Sequence, residues 1–197
     1  MKNLFLILLM MLVICPVACS GNNNRSFVEE GQTNTGATER KILIVYFSWT
    51  GKTKQMAENI AKHTGGTLFR IETVNTYPSE YTPHTEVAKA ERDNGIRPEL
   101  KTTVENLDQY DTVFIGCPVW WHTAPMAIWS FLEGKNYDFK GKTIIPFCTY
   151  GATYRDETLA KIVELTPDSK HLKGFGSTNG NADIKLWLEE IGIISNK

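Results

Sequence analysis

Residues 41–53 read KILIVYFSWTGKT. Ile42, Leu43, Ile44, Val45, Tyr46 and Phe47 form an unbroken apolar run, short and rich in β-branched and aromatic residues. Such a run predicts a strand buried on both faces. It stops at Ser48-Trp49-Thr50-Gly51-Lys52-Thr53. A helical pattern follows, with Met56, Ile60 and Ala61 on one side and Lys54, Glu58 and Lys62 on the other. A strand therefore feeds a hydroxyl-rich turn that opens a helix. The first N–H groups of a helix lack intrahelical partners, and the helix dipole favours negative charge there. Ser48, Thr50 and Thr53 add hydroxyl donors, and Gly51 lets the backbone approach a ligand closely. A phosphate is the natural occupant. A plain connection would use Ser and Thr only to cap the helix; three hydroxyls and a glycine within six residues favour the anion site.

The chain has 197 residues, enough for one ordinary domain with extensions and for a full core without staples. With a net charge of −1, nothing in its charge points to nucleic acid or to an acidic tail.

The N-terminus has the layout of an export signal. Lys2 is the only early charge, residues 4–13 are continuously apolar, and small residues follow. The apolar run is too short to favour a stable membrane span. Pro16-Val17-Ala18-Cys19-Ser20 resembles a bacterial lipobox, with Pro16 where that motif usually has Leu. The expected organisation is a signal peptide over 1–18, a lipidated Cys19 heading a tether over 19–39, and a folded domain over 40–197. Plain secretion, with Cys19 discarded or left as a thiol, is the alternative. Several acyl chains on Cys19 would hold the protein at a membrane surface, as stable anchoring needs more than one chain. The tether is rich in Asn, Gly, Thr and Ser, with only Phe27 and Val28 as bulky apolar residues, and cannot bury enough surface to fold. There is no twin-arginine signal, so export is expected unfolded, with any cofactor acquired afterwards.

Beyond the first helix, His63-Thr64-Gly65-Gly66 is a stop signal. Residues 67–74 predict a second strand. Residues 75–101 form a long polar connection with one short helix over 86–93; connections of this length usually carry function or pack over something. Residues 111–117 predict a third buried strand and 124–133 an amphipathic helix, with Pro125 a good first-turn residue. Residues 143–148 predict a fourth strand, in which Pro146 requires a bulge or a position that can spare a donor. A helix over 156–165, a short fifth strand over 171–175 and a closing helix over 182–191 complete the domain. Five alternations of strand and helix imply a parallel sheet covered on both faces. Ligands of such α/β sheets bind beyond the carboxyl ends of the strands, where strand order reverses.

Those ends carry the unusual residues. Pro118, Val119, Trp120, Trp121 and His122 follow the third strand. A large flat apolar surface with an N–H handle suits a planar heteroaromatic ligand. One tryptophan is expected to pack under the next helix and the other to meet the ligand. Thr149, Tyr150, Gly151 and Ala152 follow the fourth strand and offer hydroxyls, a ring and a permissive glycine. Alone they would be a simple turn; with the other two loops they read as part of one site.

A phosphate turn and ring-binding loops on one edge describe a pocket for flavin mononucleotide. From Arg40 onward the chain resembles the flavodoxin family, particularly its members with a long polar segment before the third strand. The motifs are YFSWTGKT, YPSEY, IGCPVWWHTAPMAIWSFLE and IIPFCTYGAT. The resemblance implies a three-layer α/β sandwich, a five-stranded parallel sheet in the order 2-1-3-4-5, and bound FMN. It places Ser48, Trp49, Thr50, Gly51, Lys52 and Thr53 in the phosphate loop, where Lys52 replaces a common Asn. It places Pro118, Val119, Trp120, Trp121 and His122 in the first ring-binding loop, and Thr149, Tyr150, Gly151 and Ala152 in the second. Tyr150 and Ala152 stand where smaller residues or glycine are frequent.

In such a protein the flavin does the redox work and the chain positions and tunes it. Apolar walls such as Trp120 disfavour negative charge on the ring and predict a low reduction potential. Electron-carrying flavodoxins are typically strongly acidic, whereas this chain is almost neutral, so steering toward a basic partner is weak. Cys117-Pro118-Val119-Trp120 is also stiff where flavodoxins often have a flexible small residue. Three readings stand. The first is a flavodoxin-like electron-transfer protein at the outer side of the bacterial inner membrane or in the periplasm, docking on a redox partner protein. The second is an FMN-dependent oxidoreductase moving electrons between NAD(P)H and a small quinone-like acceptor. The third is a flavin-binding lipoprotein without turnover.

Cys117 and Cys148 end adjacent strands. They are expected as buried thiols acting as small apolar residues, as neighbouring parallel strands rarely offer the approach a disulfide needs. His122 could give a proton to reduced flavin, although a polar rim residue is the simpler reading. His63, His84 and His171 show no metal-ligand spacing. The glycine-rich stretch 174–180 lacks dinucleotide-loop spacing and reads as a connector. Tyr77 and Tyr81 either fold over the ligand or pack the long connection.

Overall fold

The computed structural model describes residues 40–195. The expected signal peptide over 1–18, Cys19 and the expected tether over 19–39 fall outside the described residues. The elements in chain order are β1 (Ile42–Tyr46), α1 (Lys52–Thr64), β2 (Thr67–Arg70), α2 (Tyr81–Asp93), β3 (Thr112–Pro118), α3 (Met126–Leu132), β4 (Thr143–Thr149), α4 (Arg155–Glu164), β5 (Lys170–His171), β6 (Phe175–Ser177) and α5 (Lys185–Glu190). The sheet is parallel in the order β2-β1-β3-β4-β5, with β6 also paired to β4.

The apolar runs of β1, β3 and β4 are buried on both faces, and the period of two divides them between two cores. Leu43, Val45, Val113, Ile115 and Ile144 face one side, where Ala127, Ile128 and Phe131 of α3 and Ile162 of α4 cover them. Ile42, Ile44, Phe114, Ile145 and Phe147 face the other, under Met56, Ala57 and Ile60 of α1 and Trp187 and Leu188 of α5. α1 ends where Gly65 adopts φ 69 and its N–H bonds Ala61 O, the expected glycine stop.

Three expectations need correction. The second strand is shorter than 67–74: β2 ends at Arg70, and Thr73 pairs antiparallel with Leu100 instead. Val74 N donates to Glu99 O and Lys101 N to Glu72 O, so the long connection leaves and returns through one zipped neck. Within it, α2 starts at Tyr81 rather than 86. Pro83 falls in the first turn, where a missing N–H costs nothing. The fifth strand, expected as one piece over 171–175, is two short pieces with a break between them.

Pro146 accounts for that break. Ile144 O accepts from Leu172 N and Tyr150 N donates to Ser177 O, so even-numbered residues of β4 bond outward, toward β5 and β6. Pro146 has that parity and no N–H to give. Gly174 fills the gap, close enough that a Cβ there would sit 2.8 Å from Pro146 O. The proline thus occupies the donor-sparing position its presence demanded.

Gly116 in β3 is a second close approach. An added Cβ would lie 2.0 Å from Cζ of the fully buried Phe147. Gly116→Ala is therefore expected to destabilise the domain by about 1–3 kcal/mol, read as a lower urea midpoint. Cys117 and Cys148 are register partners and free, buried thiols. Burial raises both, Cys117 well above the usual thiol range and Cys148 to about 12. Alkylation mapped by mass spectrometry at pH 8 should leave both strand cysteines unmodified in native protein and label both in denaturant.

Candidate functional site

The turn after β1 leads into α1 through Gly51, whose φ of 91 lies in the left-handed region. Nothing lies within 4 Å of a Cβ built there, so the backbone conformation rather than crowding demands glycine. No side chain among the described residues caps α1. Its first bond of α type at this end is Gln55 N to Gly51 O, which leaves the earlier N–H groups free for a ligand. Thr53 is buried, and its hydroxyl shares a 2.8 Å hydrogen bond with that of Thr149. That bond ties the turn after β1 to the end of β4. Ser48 is 4% exposed, and its Oγ has no partner among the described residues. Behind the turn, Gly180 packs so closely on Lys52 that a Cβ would meet its carbonyl oxygen at 2.4 Å. The glycine-rich connector therefore braces the start of α1.

Val119 N donates to Thr149 O at 2.8 Å, which joins the loops after β3 and β4. Trp120 and Thr123 then exchange backbone hydrogen bonds of 2.9 and 3.0 Å, closing a two-residue turn over Trp121 and His122. Both turn residues have positive φ, 47 and 72. Asn and Gly usually fill such a turn, and a bulky side chain there is strained. Other elements hold it. Trp121 Nε1 donates to Thr85 O at 2.9 Å, and Arg92 Nη1 donates to Trp121 O at 3.0 Å. The Arg92 guanidinium lies 5.4 Å from the Trp121 ring centroid. The His122 ring stacks on Tyr154, itself at φ 64, with centroids 3.8 Å apart.

These loops open on a cavity of about 560 Å³. Of the residues singled out in the sequence, Trp49, Thr50, Lys52, Pro118, Val119, Trp120, Trp121, His122, Thr149, Tyr150 and Gly151 line it. Gly51, Thr53 and Ala152 do not line it; Thr53 is buried and Ala152 is exposed. Ser48 lines a smaller neighbouring cavity shared with Trp49 and Tyr77. Both adjacent tryptophans reach the main cavity, but differently. Trp120 packs edge-on against Phe47, Tyr77 and His84, whereas Trp121 stands 36% exposed at the rim.

Of the wall supplied by α2, sequence reasoning raised only Tyr81, as one of two alternatives. Tyr81, His84, Thr85 and Ala88 line the same cavity. Their helical spacing was the available signal, but the helix was expected only from 86. His84 stacks flat on Trp49, centroids 3.9 Å apart and planes 9° from parallel. Trp49 Nε1 in turn donates to Pro78 O. Burial lowers the His84 pKa below the ordinary imidazole value. Tyr77 does not line this cavity; its hydroxyl donates to Glu91 at 2.6 Å, and burial raises the pKa of both groups.

The site's geometry agrees with what the chain resembles. The flavodoxin family model matches residues 41–191. A candidate flavoprotein of Bacteroides eggerthii is 34% identical, covering 77% of this chain and 97% of that one, with a TM-score of 0.67. A second candidate flavoprotein, from Bacteroides uniformis, is 30% identical over 76% and 98% of the two chains, also with a TM-score of 0.67. A flavoprotein of Lactobacillus acidophilus, solved in complex with FMN, is 25% identical over 70% and 93%, with a TM-score of 0.61. No curated protein matches the chain. With the parallel order 2-1-3-4-5, the glycine-opened helix after β1 and the family match across the described domain, the chain belongs to the flavodoxin family.

Proposed function

We propose that this protein is an FMN-binding redox protein of the cell envelope, acting in electron transfer. The observation that carries the reading is the meeting, on one sheet edge, of an uncapped helix N-terminus with an aromatic cavity. The residues present fit the cofactor. The free N–H groups of α1 and the hydroxyls of Ser48 and Thr50 would hold the phosphate, and the orphaned Ser48 Oγ is a buried donor in need of an acceptor. Trp49, Trp120, Trp121 and Tyr150 would enclose the ring. The flavin supplies reversible electron storage when bound. The chain's part is to position the ring, exclude water and surround it with apolar walls that disfavour added negative charge.

A second reading, an NAD(P)H- or quinone-linked oxidoreductase, is favoured by α2. Its residues wall the cavity, and a walled cavity suits a small planar acceptor better than a protein surface. A lipid on Cys19 would place either activity at a membrane face, and loading with flavin would follow export. Binding without turnover is the third reading.

Titrating the apoprotein with FMN should quench flavin fluorescence at a single site; no quenching would refute the cofactor assignment. Ser48→Ala should weaken FMN about three- to tenfold while leaving riboflavin, which has no phosphate, unaffected. Anaerobic titration then separates the roles. Two resolved one-electron steps favour the carrier, and one two-electron step with rapid NAD(P)H oxidation favours the oxidoreductase. For the anchor, radiolabelled palmitate should mark the wild-type protein in cells, and Cys19→Ala should move it from the membrane to the soluble fraction.

A further inference from the structure

His84 is 3% exposed, and neither ring nitrogen has a partner among the described residues. A neutral imidazole carries one donor and one acceptor. Leaving such an atom buried and unpaired is costly, and His84 leaves two among the described residues. Core packing does not explain this, because an apolar ring of the same size would fill the space without that cost. The ring is also held firmly. It lies flat on Trp49, edge-on to Trp120 at 4.2 Å and edge-on to Tyr77 at 5.8 Å. It belongs to the wall of the main cavity. A clamped, unpaired polar ring beside a cavity is the signature of a group whose partner arrives with the ligand.

The chemistry of the partner follows from the two vacant roles. The two ring nitrogens point well apart, so a single ligand edge meets one of them, with an acceptor at the N–H or a donor at the bare nitrogen. The partner must also lie among flat aromatic side chains. The pyrimidine edge of a flavin ring, where carbonyl oxygens flank an N–H, can serve either nitrogen. A quinone carbonyl offers only the acceptor. We infer that His84 is a specificity-determining residue that hydrogen-bonds the polar edge of the flavin ring from α2, a helix outside the loops after β1, β3 and β4. The inference rests on the cofactor assignment above. His84 serves here as a neutral hydrogen-bonding group, consistent with a burial that disfavours its charged form. It favours a ring whose polar edge reaches α2.

The test uses His84→Phe and His84→Gln in the whole protein, with FMN and riboflavin as probes. In the apoprotein, His84→Phe should raise the melting temperature, because it removes two buried unpaired atoms while keeping the ring stack. The same variant should weaken FMN about three- to tenfold, and riboflavin by the same factor, because the contact is to the ring and not to the phosphate. His84→Gln, which can still donate and accept, should recover part of that loss. Unchanged flavin affinity in His84→Phe would overturn the inference. So would a fall in apoprotein melting temperature with no change in binding, which marks a purely structural histidine. Unchanged flavin affinity with a raised KM for a soluble quinone would also overturn it, placing His84 on the acceptor. Failure of the wild-type protein to bind FMN would strike the cofactor assignment instead, and is read separately in the same titration.

Discussion

The burial of β1, β3 and β4 on both faces constrains everything else in this domain. Strands covered on each side can present no functional group along their length, because every side chain goes into one of two cores. Their chemistry is forced to their ends. Because the strands are parallel, the ends of β1, β3 and β4 lie on one edge, and Ser48, Pro118 and Thr149 start three loops side by side. Two short bonds then lock the edge, the Thr53–Thr149 hydroxyl pair and Val119 N to Thr149 O. Thr149 is the common member, so the end of β4 is the point from which the other two loops are set.

The site sits on strained and unpaired groups that the core does not need. Trp121 and His122 occupy a turn that suits glycine, and Tyr154 beneath His122 is left-handed as well. Non-glycine residues held in such conformations cost of order 1–3 kcal/mol each and persist only where their surroundings over-determine them. Here α2 holds one side through Thr85 and Arg92, and the His122–Tyr154 stack holds the other. Ser48 and His84 add buried polar atoms without partners among the described residues. Among the described residues, Trp129, Thr158 and Glu189 hold unpartnered atoms elsewhere, but only this edge combines them with strained turn residues beside a cavity, which fits a surface shaped for a ligand.

α2 separates this chain from a bare nucleotide cradle. It sits in a connection whose two ends are zipped by the Thr73–Leu100 bridge, so a long excursion returns to the sheet without disturbing its order. Arg92 and Lys89 lie over the face of Trp121, a contact worth about 0.5–1 kcal/mol at an exposed site. The helix is therefore attached to the ring loop by contacts at its surface. Those contacts cover a cavity already framed by the strand ends.

The apolar run over 42–47, the turn that follows and the alternation of strands with helices were enough to derive a doubly covered parallel sheet and to single out the three loops, because burial on both faces leaves a signature within one short window. Pro146 likewise announced a missing donor, although its effect on the neighbouring strand showed only in the paired sheet. The start of α2, the strain at Trp121 and His122, and the isolation of His84 were not legible. A proline in a first turn looks the same in sequence as a proline that ends a helix. Nothing local to position 84 distinguishes a histidine satisfied by its neighbours from one left unpaired against Trp49. Such properties belong to contacts between segments tens of residues apart, and only the packed chain brings them together.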